Sequence, residues 1–287
     1  MQELGRTFGC LSSTRALRRA LLRPPYADDL GNWHQYGWRA EPDPVAIAKE
    51  HAGLCALLSG AGAEVVLADE PVPGDPDAIY AYDPVLIGPH GAILLRIGKP
   101  ARIAEAEALE PALARAGIPI VARMDAPGTA DGGDMFWLDE RTLLVGRGYR
   151  TNDAGIAVLR ALLPLADVLA FDLPHLRGRR EVLHLMSLVS PLDEDLVVAY
   201  TPLLPVRLVE LFEQRGIEIV DVPDDEFETM GANVLALAPR VGLALARNPE
   251  TRRRLEHAGM TIHTYAGAEL SKGDGGPTCL TLPLLRD

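Results

Sequence analysis

The chain has 287 residues, 48% hydrophobic and 24% charged, the balance of a soluble globular protein. Its 28 basic and 40 acidic side chains leave a formal net charge of −12, which argues against a nucleic-acid or anionic-membrane surface and suits a cationic small molecule. The three cysteines, Cys10, Cys55 and Cys279, form no CxxC pair or disulfide framework, and no run approaches the ~18 apolar residues of a membrane span, so the expectation is a cytoplasmic protein with thiols free for chemistry.

The chain opens on "MQELGRTFGCLSSTRALRRALLRP", a stretch with the Arg- and Ser-rich composition of a transit peptide. It reads equally as a first strand, "LGRTFGCL", followed by a surface loop, and that reading is preferred. "DLGNWHQYGWRAEPD" (29–43) is a loop whose Trp33, Tyr36 and Trp38 either cover a substrate mouth or pack on the surface, with His34 at the surface. A helix, "DPVAIAKEHAGLCALLSGAG", and a strand, "AEVVLA", follow; Cys10 and Cys55 are expected to pack, on the first strand and this helix.

From here one unit recurs. "PVLIGPHGAILLRI", "MFWLDERTLLVG", "HLMSLVSPLDEDLVVAY" and "NVLALAPRVGLALA" each read as a β-hairpin, at a spacing of roughly 50 residues. Each leads to a helical pattern: "KPARIAEAEALEPALARAG", "NDAGIAVLRALLP", "LPVRLVELFEQRG" and "NPETRRRLEHAG". Each helix leads to a short strand: "IPIVAR", "ADVLAF", "IEIVDV" and "MTIHTY". A fifth unit closes a ring if the C-terminal "CLTLPLL" pairs with "LGRTFGCL" and borrows the first helix and strand. The chain end is then held in a sheet, and Cys279 with it.

Equivalent positions of such a ring face one mouth. At the start of each hairpin stand Asp83, the Asp131–Asp134 pair, His184, Asn233 and, in the fifth unit, Cys279. A thiol near an imidazole is the arrangement of an activated sulfur nucleophile, and carboxylates beside it bind a cation or fix a histidine tautomer. Taken singly, Cys279 reads as a small buried hydrophobe, His184 as a structural residue and "DGGD" as a turn. Their shared repeat position is what points to a site.

These residues carry a resemblance. "PDAIYAYDPVL", "GKPAR", "APGTADGGDM", "GRGYRTN", "VLHLMSLVS", "GANVLAL" and "GDGGPTC" resemble, in order and spacing from residue 77 to the end, the guanidino-group-modifying enzymes, above all the dimethylarginine dimethylaminohydrolases. The resemblance implies one α/β domain spanning 1–287, a five-bladed α/β propeller (the pentein fold). It implies Cys279 as nucleophile, His184 as acid and then base, and Asp83 and Asp131 gripping the guanidinium. It implies Arg102 and Arg150 on the substrate's α-carboxylate and Asp77 near its polar end. No cofactor or metal is implied, and the chain has no HExxH or CxxC spacing. The implied partner is a small guanidino substrate, with no nucleic acid or membrane and a possible homodimer.

The chain departs from the family in three places. Asp131 replaces a Glu and is one methylene shorter. Met186 stands two residues after His184, where deiminases and amidinotransferases place Asp; it either tolerates N-methyl groups, which favours methylarginine hydrolysis, or merely packs. Tyr82 stands where the family has an acid. The expected reaction converts an Nω-methylated arginine to citrulline and a methylamine through an S-alkylthiouronium. The alternatives are a deiminase, another guanidino-compound hydrolase or amidinotransferase, and a non-catalytic guanidino-binding member of the fold.

Overall fold

The computed structural model describes residues 7–179 and 183–287. Its strands form five three-stranded sheets, and in each the middle strand runs antiparallel to the first and parallel to the third. The first blade joins Val85–Ile87, Ala92–Leu94 and Ile120–Arg123. The second joins Met135–Asp139, Thr142–Arg147 and Asp167–Asp172, with the helix Asp153–Leu162 before its last strand. The third has Val189–Asp193, Leu196–Ala199, the helix Val206–Arg215 and Glu218–Asp221. The fourth has Leu235–Ala238, Val241–Leu245, the helix Pro249–His257 and Thr261–Tyr265.

Local chemistry explains the unit. The second hairpin carries apolar pairs such as Met135 opposite Val145 and Phe136 opposite Leu144, and its return strand then accepts a parallel neighbour, which the chain reaches through a helix. The helix Val206–Arg215 stops at Gly216, whose φ of 67° lets the chain turn back into the strand at Glu218. In the first blade the expected long helix is instead three short pieces, Pro100–Arg102, Glu105–Ala108 and Glu110–Arg115. Pro111 lacks the N–H that would continue one helix through this stretch.

The fifth blade is closed by both ends of the chain, but not by the segment expected. Leu17–Leu22 is the middle strand, antiparallel to the C-terminal Leu282–Arg286 and parallel to Glu64–Leu67, with the helix Pro44–Gly60 between. "LRRALL" thus replaces "LGRTFGCL" as the partner, and the stretch expected to be a surface loop is a buried strand. Leu17, Ala20, Leu21 and Leu22 are buried, while Arg18 points out to Asp287 and Arg19 to Glu64. Of the expected strand, residues 4–6 lie outside the described residues, and Gly9 makes only an isolated bridge to Leu285. Cys10 is buried beside that bridge rather than in a strand, its thiol donating to the Pro283 carbonyl at 3.3 Å, and Cys55 lies half-buried on the long helix.

The core is divided among the blade interfaces. Leu143, Val145, Ile156 and Leu159 of the second blade pack with Leu86 and Ile93 of the first. Phe136 and Leu144 meet Val189, Val197 and Phe212 of the third; Leu192 and Val198 meet Leu255 and Ile262 of the fourth. The fifth blade enters two clusters, with Leu235 and Leu243 on one side and Val85 and Leu94 on the other. Losing that blade therefore opens two interfaces at once. Among the described residues no helix is long and apolar enough to cross a membrane.

Leu284 is 0% exposed in the C-terminal strand. Leu284→Ala should therefore destabilise the protein by about 2–4 kcal/mol in urea unfolding, as much as Leu144→Ala at an internal interface. A cost below about 1 kcal/mol, the size of a surface change, would mean the terminus does not close the ring.

Candidate active site

Each blade is approached through a short turn, and these turns carry the site. Pro76–Ile79 holds Asp77 and leads to Asp83; Gly132–Asp134 follows Asp131; Leu185–Leu188 is capped by His184; Pro277–Leu280 contains Cys279. The sequence reading put His184 at the start of a strand, whereas a helical turn intervenes and the strand begins at Val189. Two bonds fix the start of that turn: the His184 N–H donates to Ser187 Oγ at 3.1 Å and the Leu185 N–H to Asp134 Oδ1 at 3.0 Å.

The expected residues gather. His184 Nε2 lies 3.1 Å from Asp131 Oδ2, and its Nδ1 3.9 Å from Asp83 Oδ1. Arg150 Nη1 donates to Asp131 Oδ2 at 3.0 Å, and the Gly98 N–H to Asp131 Oδ1 at 2.6 Å. Asp83 accepts from the Gly133 N–H at 3.0 Å and from Arg102 Nη1 at 2.7 Å. Only glycine fits at 133: a Cβ there would lie 2.4 Å from His184 Nδ1 and 2.9 Å from Asp83 Oδ1. Ligand-type atoms of Asp83, Asp131 and His184 lie within 4.8 Å of one another, a focus for positive charge into which the two arginines already donate.

Cys279 is half-buried and, with His184 and Asn233, lines a cavity of about 290 Å³. Asn233 Nδ2 donates to Cys279 Sγ at 3.2 Å, while Asn233 Oδ1 accepts the Thr278 N–H at 3.1 Å, so one amide orients both the thiol and its turn. Asp83, Asp131, Asp77, Arg102 and Arg150 do not line this cavity; they lie buried around it. Arg102 is the most constrained, donating Nε and Nη2 to Glu105 and Nη1 to Asp83. Asp77 is also engaged, by the Trp38 indole N–H at 2.8 Å and Lys99 Nζ at 2.6 Å. Arg150 lines a second cavity of about 530 Å³ with Arg147, Arg177 and Arg179.

Glu105, Lys99 and Asn233's contact with the thiol were not assigned roles from sequence. Glu105 has a local signal, three residues after Arg102 in a helical stretch. The 29–43 segment forms two short helices, Ala27–Leu30 and Trp33–Tyr36, and answers its open question residue by residue. Trp38 is buried on Asp77, Tyr36 lies over Lys99 at 4.6 Å, and His34 is exposed, while Gly37 and Arg39 line the Cys279 cavity. Met186 is buried in the core between the second and third blades rather than at that cavity, whose apolar wall is Leu176, Leu183, Phe227 and Met230. Tyr82 donates its hydroxyl to the Met135 carbonyl.

Burial and charge set the protonation states. Burial works against a charged His184, but Asp83, Asp134 and Asp131 outweigh it and raise its pKa. Burial would raise Asp131 too, yet His184 and Arg150 hold it well below the usual carboxylate range. Burial pushes Asp134 up to about 7. Burial and the Asp83 charge push the Cys279 thiol up to about 11, against the Gly276 N–H, Asn233 and Arg102. The resting site therefore pairs a neutral thiol with a readily charged imidazole.

A family model described as arginine deiminase matches residues 72–215 and 203–286. The N(G),N(G)-dimethylarginine dimethylaminohydrolase of Streptomyces coelicolor is 34% identical over 217 residues, 75% of this chain and 77% of that one. The arginine deiminase of Listeria welshimeri is 26% identical over 257 residues, 74% of this chain, which spans 62% of that protein's length. The solved structure of the DDAH from Pseudomonas aeruginosa, complexed with citrulline, superposes with a TM-score of 0.77 at 24% identity, over 93% of this chain and 99% of that one. The chain belongs to the arginine deiminase family, in company with the dimethylarginine dimethylaminohydrolases, and its ring of five blades is their pentein fold.

Proposed function

We infer that the protein is a cysteine hydrolase of guanidino C–N bonds that converts Nω-methylated arginine to citrulline and a methylamine. The observation that carries this reading is the convergence of Cys279 and His184 on one cavity beside the buried Asp83 and Asp131 carboxylates. Identity with the Streptomyces coelicolor enzyme supports the methylated substrate. So does the apolar wall of Phe227 and Met230, which accepts N-methyl groups at no cost in hydrogen bonds. The net charge of −12 suits a cationic small molecule and no nucleic-acid partner.

A guanidinium is a poor electrophile whose charge must be kept. Asp83 and Asp131 hold it by charge-assisted hydrogen bonds and orient its central carbon toward Cys279. Its positive charge opposes the effects of burial and Asp83 on the thiol, so thiolate forms when substrate is present. The thiolate sulfur adds to the carbon; His184 gives a proton to the departing methylamine as the C–N bond breaks, leaving the S-alkylthiouronium. His184 then takes a proton from water, whose oxygen adds to the same carbon, and the C–S bond breaks to release Cys279 and the ureido product. In the ligand-free site the oxygens of the shorter Asp131 accept from Gly98, Arg150 and His184, and it takes the guanidinium as Arg150 leaves it. When the substrate guanidinium takes Asp83, Arg102 Nη1 is released from that carboxylate. Arg102 and Arg150 then receive the substrate's α-carboxylate, and Asp77 faces its polar end through Lys99 and Trp38.

Two experiments test this reading. Alkylation of Cys279 by iodoacetamide in the ligand-free protein, read by peptide mass, should climb from about pH 7 to about pH 10 without a plateau. Asn233→Ala should slow it roughly tenfold at fixed pH, because a donor to the thiolate is lost. A plateau near neutrality, or no effect of Asn233→Ala, contradicts the site's electrostatics. In product assays with dimethylarginine, monomethylarginine, arginine and agmatine, the methylated arginines should give citrulline. Cys279→Ser should give none, and His184→Gln should lower kcat by about 10²–10⁴. Activity in Cys279→Ser would refute the cysteine mechanism, and efficient agmatine turnover would refute the carboxylate role of Arg102 and Arg150.

A further inference from the structure

A third cavity, of about 40 Å³, shares no lining residue with the one at Cys279. Residues from the first strand of every blade line it, including Val85, Trp137, Pro191, Leu235 and Arg286, so it lies on the ring axis. Its walls are mainly apolar, yet Arg286 is only 5% exposed there. Arg286 Nη1 and Nη2 donate to the carbonyls of Arg15 and Ala236, and Nε has no partner among the described residues. Among the described residues no carboxylate pairs with it. The acidic groups at this cavity do not supply the missing charge: burial pushes the Cys10 thiol up to about 12 and raises Tyr82, so both stay neutral.

An uncompensated guanidinium in an apolar interior is costly, and such charges are ordinarily paired. Two other buried donors without partners, the Trp137 indole N–H and the Thr278 hydroxyl, belong to residues lining the same cavity. The volume exceeds the ~10–15 Å³ that one water requires and is too small for a polyatomic organic anion. We propose that this axial cavity binds one small monovalent anion of halide size, with Arg286 as its counter-ion. Trp137 and Thr278 complete the set of donors. Thr278 precedes the nucleophile, so the anion would also brace the turn Pro277–Leu280 that carries Cys279. This site is separate from the guanidino chemistry and holds whatever the substrate proves to be.

The test uses the full chain at constant sodium concentration and ionic strength, with gluconate exchanged for chloride or bromide. Halide should raise Tm by about 2–4 °C. A crystal grown in bromide should show an anomalous peak within hydrogen-bond reach of Arg286 Nε. Arg286→Met should abolish the peak and the Tm increment, and Arg286→Lys should keep a weakened form of both. Equal Tm in gluconate and bromide, or no anomalous signal beside Arg286 in the wild-type crystal, would overturn the proposal. So would a halide increment that survives in Arg286→Met. If Arg286→Met does not fold, the wild-type bromide map decides alone.

Discussion

The structure depends on a buried set of charges whose hydrogen bonds cross from one blade to the next. Asp83 enters from the first blade, Asp131 from the second and His184 from the third, while Asn233 and Cys279 come from the fourth and fifth. Asp131, Asp83 and His184 are almost inaccessible to water. Charges so placed are tolerated only when paired and hydrogen-bonded; each carboxylate here has an arginine from its own blade, and His184 and two backbone N–H groups reach the pair from a neighbouring blade. Arg102 reaches Asp83, Arg150 and His184 reach Asp131, and the backbone of Gly98 and Gly133 supplies the remaining donors. The closed ring thus rests on apolar burial at the interfaces and, at the site, on the contacts of His184, Gly98 and Gly133 across blades.

The same arrangement explains why a weakly electrophilic cation can be attacked. Asp75, Asp77, Asp83, Glu105, Asp131 and Asp134 crowd around Lys99, Arg102 and Arg150, so the region carries more acid than base. Part of that acid is relieved by burial, which pushes Asp134 up to about 7, and part by pairing, as Glu105 pairs with Arg102. The rest attracts an organic cation. Until one arrives, the negative field and the burial that attract it also keep Cys279 as a neutral thiol. In the proposed mechanism binding and activation are therefore coupled through electrostatics, as Arg102 exchanges Asp83 for the substrate's carboxylate.

Much of this was legible in the sequence because the repeat is written in hydrophobic periodicity. Four hairpins, three of the four helices and all four third strands appear where the alternation placed them, and the positions opening each hairpin proved to be neighbours. The first strand of the chain was missed because Arg18 and Arg19 interrupt its apolar run; Arg18 pairs with Asp287 and Arg19 with Glu64. The long first-blade helix was overread across Pro111. Met186 was assigned chemical meaning by its distance from His184 in sequence, yet the intervening helical turn points it into the core. Residues that act only through partners are invisible to spacing: Glu105 on Arg102, Trp38 and Lys99 on Asp77, and Asn233 on the thiol. Their roles arise from contacts across as many as 46 positions of chain.

The most direct test of this account is the ionisation of Cys279 with and without a bound guanidinium, followed by thiolate absorbance and corrected by subtracting Cys279→Ser. Saturation with a guanidino ligand that is not turned over should lower the thiol pKa by at least about two units, the size expected of a cation brought within contact distance. An unchanged titration curve would mean that the bound cation does not activate the thiol, and would contradict the coupling on which the proposed mechanism rests.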